Sequence, residues 1–346
     1  MSGPLPGYLL PLTRPASFLY GLAIAARNRR YDRGAGVQRI DVPVISVGNI
    51  AVGGTGKSPF VRHLARLLIE HGRRPVIAMR GYRAAPGEAS DEQAEHEALL
   101  PEIDVLAQPD RLAALRRYLP RHPEIDCVLL DDGFQHRRLH RDLDLVLIDA
   151  PCALPGAGAG PGARLLPAGW LREPLSSLRR ADAVIVTHAR EIDEALARRI
   201  EADHGRPPVA WTRHTWAGLT VHDPTGGARD AGVGWLEGRR VLTMLGVARP
   251  QAILDQLAEA GATVAVTVPA GDHERYTRKA LERVRRLAEG VEAVVLTGKD
   301  WVKVRRLIDL ATWPAPLVVP EPAIEFLEGR AALDDLVLTT VAPSAA

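Results

Sequence analysis

The chain has little cysteine and little lysine. Two cysteines, Cys127 and Cys152, occur in 346 residues, with neither a metal-like spacing nor enough partners for a disulfide framework. That fits a reducing compartment. Lysine occurs four times, at positions 57, 279, 299 and 303, among 44 lysines and arginines together. Arginine supplies the generic positive charge here, so each lysine raises the question of what a compact ammonium does that a planar guanidinium does not. Net charge is only +2, so no global field argues for a nucleic-acid partner. The apolar run at residues 16–26 (ASFLYGLAIAA) falls short of the roughly 20 residues needed to cross a bilayer.

What is present is a globular composition, 46% hydrophobic and 25% charged, long enough for one large domain or two ordinary ones. Basic residues gather at the N-terminus, where Arg14, Arg27, Arg29, Arg30, Arg33 and Arg39 face a single acid, Asp32. Apart from Arg14, the charges follow the 16–26 run rather than precede it, which argues against a signal peptide. Two readings stay open: a helix lying in a membrane interface with arginines at the headgroups, or a helix packed on the protein's own core.

From residue 42 onward, short apolar runs alternate with amphipathic stretches. Strands are expected at 44–47, 76–79, 127–130, 145–148 and 183–186, and helices at 59–71, 111–119 and 192–203. Such alternation predicts a parallel sheet covered on both faces. Residues 150–168, rich in Gly, Pro and Ala, read as a loop. The segments 209–213 and 215–221 look extended, and a second alternating set covers 241–310. The fold expected is α/β: a P-loop NTPase-like parallel-sheet domain with a second, smaller α/β domain. The expected division is an N-terminal membrane-associating segment (1–40), a nucleotide-binding domain (41–215), an extended linker (216–238) and a C-terminal domain (239–346).

The strongest local signal is VISVGNIAVGGTGKSP at 44–59, an apolar strand, a Gly-rich turn and a helix start. Glycines let backbone N–H groups approach phosphate oxygens, and the helix presents its positive end to the same anion. Gly53, Gly54, Thr55, Gly56, Lys57 and Ser58 are therefore the expected nucleotide-binding residues. Lys57 would reach the β- and γ-phosphates and Ser58 would bind Mg²⁺. The strict GxxxxGK[ST] pattern fails by one place, its first Gly falling on Ala51. A second signal is the apolar strand ending in Asp131–Asp132, a Walker B-like element whose carboxylates can hold Mg²⁺.

These stretches, with MRGYR at 79–83, DDGFQHRRLHRDLDLVLIDA at 131–150 and RLLPAGWLREPLSSLRRADAVIVT at 164–187, closely resemble the tetraacyldisaccharide 4′-kinases, the lipid A 4′-kinases of Gram-negative bacteria. The resemblance runs from about residue 10 to beyond residue 300. It implies transfer of the ATP γ-phosphate to the 4′-hydroxyl of a tetraacylated glucosamine disaccharide 1-phosphate. It also implies attachment to the cytoplasmic face of the inner membrane through an N-terminal hydrophobic helix.

By the same resemblance, Asp91 in SDEQ matches the catalytic base, His273 in GDHERYT matches its imidazole partner, and Glu173 in LREP matches an acid near the metal. ATP and Mg²⁺ are the implied cofactors and an acylated disaccharide lipid the implied partner. A monomer is the default expectation. Four positions depart from the family pattern: Gln93 for a Pro, Glu274 for a second His, Gly298 for an acid, and Ser58 for a Thr, which keeps the hydroxyl. The residues alone also admit a nucleotide-driven switch or partner-insertion factor, or a non-catalytic nucleotide-binding scaffold.

Overall fold

The structure, a computed structural model, describes residues 10–52, 55–81, 90–150, 164–247, 250–269 and 276–342. Along the chain run α1 (Leu10–Asp32), β1 (Val44–Asn49), α2 (Lys57–Glu70), β2 (Pro75–Met79), α3 (Asp91–Leu99), β3 (Val105–Ala107) and α4 (Arg111–Tyr118). Next come β4 (Cys127–Asp131), β5 (Leu143–Asp149), β6 (Ala183–Thr187), α5 (Glu194–His204), β7 (Ala210–His222) and β8 (Ala228–Ala231). Then follow β9 (Arg240–Leu245), α6 (Pro250–Glu259), β10 (Thr263–Pro269), α7 (Arg278–Leu287), β11 (Ala293–Leu296), α8 (Gly298–Val304), β12 (Leu317–Glu328) and α9 (Arg330–Thr340).

Two compact units result. The first comprises residues 1–83, 100–213 and 325–346, the second 84–99 and 214–324. The C-terminal stretch from 325, expected with the smaller domain, thus clusters with the first unit, and residues 84–99, expected with the larger, cluster with the second. The reason for the former is packing: Leu333, Val337 and Val341 bury with Phe60, Leu64 and Leu68 of α2.

In the first unit the strand order is β7-β6-β5-β1-β4-β2-β3, with parallel neighbours throughout. Every residue of β1, β2, β4, β5 and β6 is buried, as a sheet covered on both faces requires. Alternate residues go to opposite faces. Ile45, Val47, Ile77, Leu129 and Leu145 meet α2 and α9. On the other face Val146, Ile148, Val184 and Val186 meet Leu178, Leu196 and Ile200, while Val76, Val128 and Leu130 meet Leu112 and Leu115 of α4. Truncating a fully buried member such as Leu64 to Ala costs about 2–5 kcal/mol. The chain moves from β1 to one side of the sheet and later returns through β5 on the other. The loop after β1 therefore sits at a topological switch point, where open α/β sheets bind ligands.

In the second unit β9 is flanked in parallel by β10 and β11, and β11 by β12, with β8 antiparallel on β7. α3 packs against α8. The N–H of Gln93 donates to Ser90 Oγ at 3.2 Å, a bond that the proline expected there could not make.

The long helix α1 presents two faces, one packed on the protein and one exposed. Thr13 and Ile24 are buried, while Phe18, Leu19 and Leu22 are 68%, 64% and 51% exposed. Among the described residues no helix is long and apolar enough to cross a membrane.

Candidate active site

The residues that enter the switch-point loop are pinned from neighbouring strand ends. Thr55 is buried; its hydroxyl accepts from Asn49 Nδ2 at 2.8 Å, and its carbonyl accepts from Thr187 Oγ1 at 3.0 Å. Gly56 has φ 77° and caps α2 in the left-handed region, a conformation that glycine adopts without Cβ strain. No acid lies in the first turn of α2 itself, and its N-terminus is the positive end of the helix dipole, the end that favours an anion. Gly53 and Gly54 lie outside the described residues.

Beside this loop stands the paired acid. β4 runs parallel to β1 with Asp131 opposite Val47, which brings its carboxyl-terminal end to the start of α2. Ser58 Oγ donates to Asp131 Oδ2 at 3.2 Å. Asp132 adopts φ 53°, and Arg111, itself buried, donates to the carbonyls of both acids at 3.2 and 3.1 Å. A Cβ on the following Gly133 would overlap the Ser46 hydroxyl, so this turn admits only glycine. Lys57 Nζ lies 3.4 Å from Asp132 Oδ1, and Arg172 Nη1 donates to both Asp132 oxygens at 3.0 and 2.9 Å. Burial alone raises the Asp132 carboxyl, but Lys57, Arg172 and Arg111 outweigh it and bring it down to about 2. It is ionised at any physiological pH.

The chemistry available here is charge placement. A hydroxyl and a carboxylate side by side are hard oxygen donors. That pattern suits Mg²⁺, which keeps waters and phosphate oxygens and takes only one or two protein carboxylates. Lys57, Arg172 and Arg111 put three cations around one ionised acid, an arrangement suited to a polyanion.

Of the remaining expected residues, Asp91, His273 and Glu173, only Glu173 has a described side chain. Asp91 is the first residue of α3, its side chain is not described, and His273 lies outside the described residues. Glu173 is fully buried, and contacts other than a metal neighbour occupy its oxygens: Arg27 at 3.3 Å, Asn28 at 2.8 Å and Arg180 at 2.9 Å. Neither Arg111 nor Arg172 was singled out from sequence. Arg172 adjoins Glu173 in the LREP stretch, whereas Arg111 carries no sequence signal beyond its place at a helix start.

Three comparisons bear on this site. The family model for tetraacyldisaccharide-1-P 4′-kinase matches residues 9–341. A tetraacyldisaccharide 4′-kinase of Geobacter sulfurreducens is 36% identical, the match covering 84% of this chain and 83% of that one. One of Anaeromyxobacter dehalogenans is 41% identical, covering 81% and 77%. A crystal structure of LpxK from Aquifex aeolicus in complex with ATP matches with a TM-score of 0.69 and 28% identity, over 96% of this chain and 98% of that one.

Proposed function

This chain belongs to the tetraacyldisaccharide-1-P 4′-kinase family, and we propose that the contacts around Lys57 and Asp131–Asp132 carry out its reaction. The protein is an ATP-dependent lipid sugar kinase. It transfers the γ-phosphate of ATP to the 4′-hydroxyl of a tetraacylated glucosamine disaccharide 1-phosphate in lipid A biosynthesis.

The observation that carries the residue assignment is the double pairing Ser58–Asp131 and Lys57–Asp132 at the end of one strand. Phosphoryl transfer runs through a loose transition state and asks mainly for positioning and charge neutralisation. In our reading the N–H groups at the start of α2 and the backbone around Gly53, Gly54, Thr55 and Gly56 hold the phosphates. Lys57 neutralises the charge that builds on the transferred group. Ser58 and Asp131 hold Mg²⁺, which supplies further charge neutralisation when bound. Asp132 keeps Lys57 and Arg172 aimed at one point. Asp91, with His273, accepts the proton of the attacking hydroxyl.

We further assign the outer face of α1 to the surface of the inner membrane, where the lipid acceptor resides. Exposed Phe18, Leu19 and Leu22 with Arg29 and Arg30 in the last turn suit an interfacial helix, apolar side chains in the acyl boundary and guanidinium groups at anionic headgroups.

The decisive experiment measures ADP release with and without the acylated disaccharide. Acceptor-dependent release, lost by orders of magnitude in Lys57→Ala, is the expected result. Release indifferent to lipid would instead indicate a nucleotide switch. Near-normal transfer by Lys57→Ala would remove the loop from the mechanism.

A further inference from the structure

Two adjacent side chains of one short segment serve different neighbours. Residues 164–173 fold back on themselves, Leu171 N–H donating to Arg164 O at 3.0 Å and Leu166 N–H to Leu171 O at 2.9 Å. The segment lies along the entrance to the phosphate loop: Val52 N–H donates to Trp170 O at 2.8 Å, and Arg172 N–H to Ile50 O at 2.7 Å. From it the Arg172 guanidinium reaches Asp132.

The next residue, Glu173, reaches α1. Arg27 donates to its Oε1, and Asn28 and Arg180 donate to its Oε2. α1 donates to the same segment twice more, Ser17 Oγ to Leu165 O at 2.8 Å and Tyr20 OH to Arg172 O at 2.9 Å. Positions 17, 20, 27 and 28 share a helical face with buried Thr13 and Ile24. One face of α1 therefore grips the segment while Phe18, Leu19 and Leu22 leave from the other.

A buried carboxylate among cations is a poor source of net stability, because desolvation cancels much of the attraction. Its best-attested use is to specify one register of the elements it joins. Here those elements are the helix with an exposed apolar face and the segment that carries Arg172.

We infer that Glu173 is a positioning residue: it locks α1 onto residues 170–173 in a single register, so that the seating of α1 and the aim of Arg172 at Asp132 are set together. This rests on the kinase reading above. It assigns Glu173 to the helix rather than to the metal, and it makes α1 part of what sets the turnover rate as well as an attachment to the lipid surface. A small displacement of a positioning group is enough to cost about 10²-fold in rate.

The test uses the full-length enzyme in mixed detergent micelles at saturating acceptor, where membrane attachment does not limit the rate. Glu173→Gln, the double variant Arg27→Ala/Asn28→Ala and the triple combination are compared with wild type for kcat, KM for ATP, Mg²⁺ requirement and melting temperature. Each of the first two is expected to lower kcat by about tenfold or more, with KM for ATP and the Mg²⁺ optimum changed by less than about threefold. The triple variant should be no worse than Glu173→Gln, as members of one coupled unit are not additive. Glu173→Asp should recover part of the loss. Full kcat in the Arg27/Asn28 variant overturns the inference, as does a Glu173→Gln defect erased by excess Mg²⁺. If Glu173→Gln does not fold, the Arg27/Asn28 variant decides alone, since both side chains are only half-buried. A wild-type enzyme without acceptor-dependent ADP release would sink the kinase reading instead, and that control is read first.

Discussion

Lys57 Nζ stands 3.4 Å from Asp132 Oδ1, and the residue before Asp132 accepts from the residue after Lys57. Two consecutive residues of a helix start thus meet two consecutive residues of a strand end, one pair ionic and one between a hydroxyl and a carboxylate.

Removing the charge of Asp132 separates aim from attraction. In Asp132→Asn, Lys57 and Arg172 lose the anion that fixes them, but the positive potential for a nucleotide is kept. Turnover is expected to fall by about 10²-fold or more, while the ATP dissociation constant stays within about threefold. Calorimetric ATP titration beside a transfer assay checks both; a large loss of ATP affinity would contradict this role.

Ser58 is expected to act through its hydroxyl alone. Ser58→Thr keeps that oxygen and should retain most activity, whereas Ser58→Ala should need a higher Mg²⁺ concentration for half-maximal rate. Identical Mg²⁺ curves for wild type and Ser58→Ala would argue against a metal-binding hydroxyl.

Arg111 holds the backbone of the acidic turn. Arg111→Met leaves the Asp131 and Asp132 carbonyls without that donor, at a cost of about 1–3 kcal/mol. A denaturant midpoint unchanged from wild type would show that the two bonds contribute nothing.

A pH dependence follows from His136. Burial, reinforced by Arg111, holds its imidazole down to about 4 against an ordinary value of 6.5. Between those values the unfolded chain binds a proton that the native protein does not, so stability falls as pH drops from 6.5 towards 4 and this loss then stops. Asp132, depressed to about 2, loses its contribution only at lower pH, below the ordinary carboxylate range. His136→Gln should flatten the stability profile between pH 6.5 and 4, measured by urea unfolding. An unchanged slope would place the titrating group elsewhere.

Strands β1, β2, β4, β5 and β6 lie within two residues of their sequence expectations, because a parallel sheet buried on both faces leaves uninterrupted apolar runs; the short edge strand β3, only half-buried, was not foreseen. Other elements were less legible. β7 is one strand where two extended segments were expected. Helix α8 starts at Gly298 and spans Gly298–Val304, where Thr297 caps it, accepting from Asp300 N–H at 3.2 Å. Strand β12 was not foreseen; Pro320 and Pro322 within it are residues that ordinarily demote a strand.

At the site, Lys57, Ser58 and the two acids were readable because the loop and the strand end each carry a local pattern. Arg111 and Arg172 were not, since their partners lie 20 to 40 residues away and nothing local marks the pairing. Glu173 was legible as an important acid, but its neighbours on α1, about 145 residues earlier, were not.

The return of the chain to the first unit after residue 324 has a consequence for biosynthesis. The apolar side of α2 shares its core with Leu333, Val337 and Val341, which leave the ribosome more than 260 residues after α2 itself. Throughout that interval the nascent nucleotide-binding unit carries an uncovered hydrophobic stripe, the kind of surface that aggregates or recruits chaperones. Translation speed across the inserted second unit therefore sets how long the newborn polypeptide stays vulnerable.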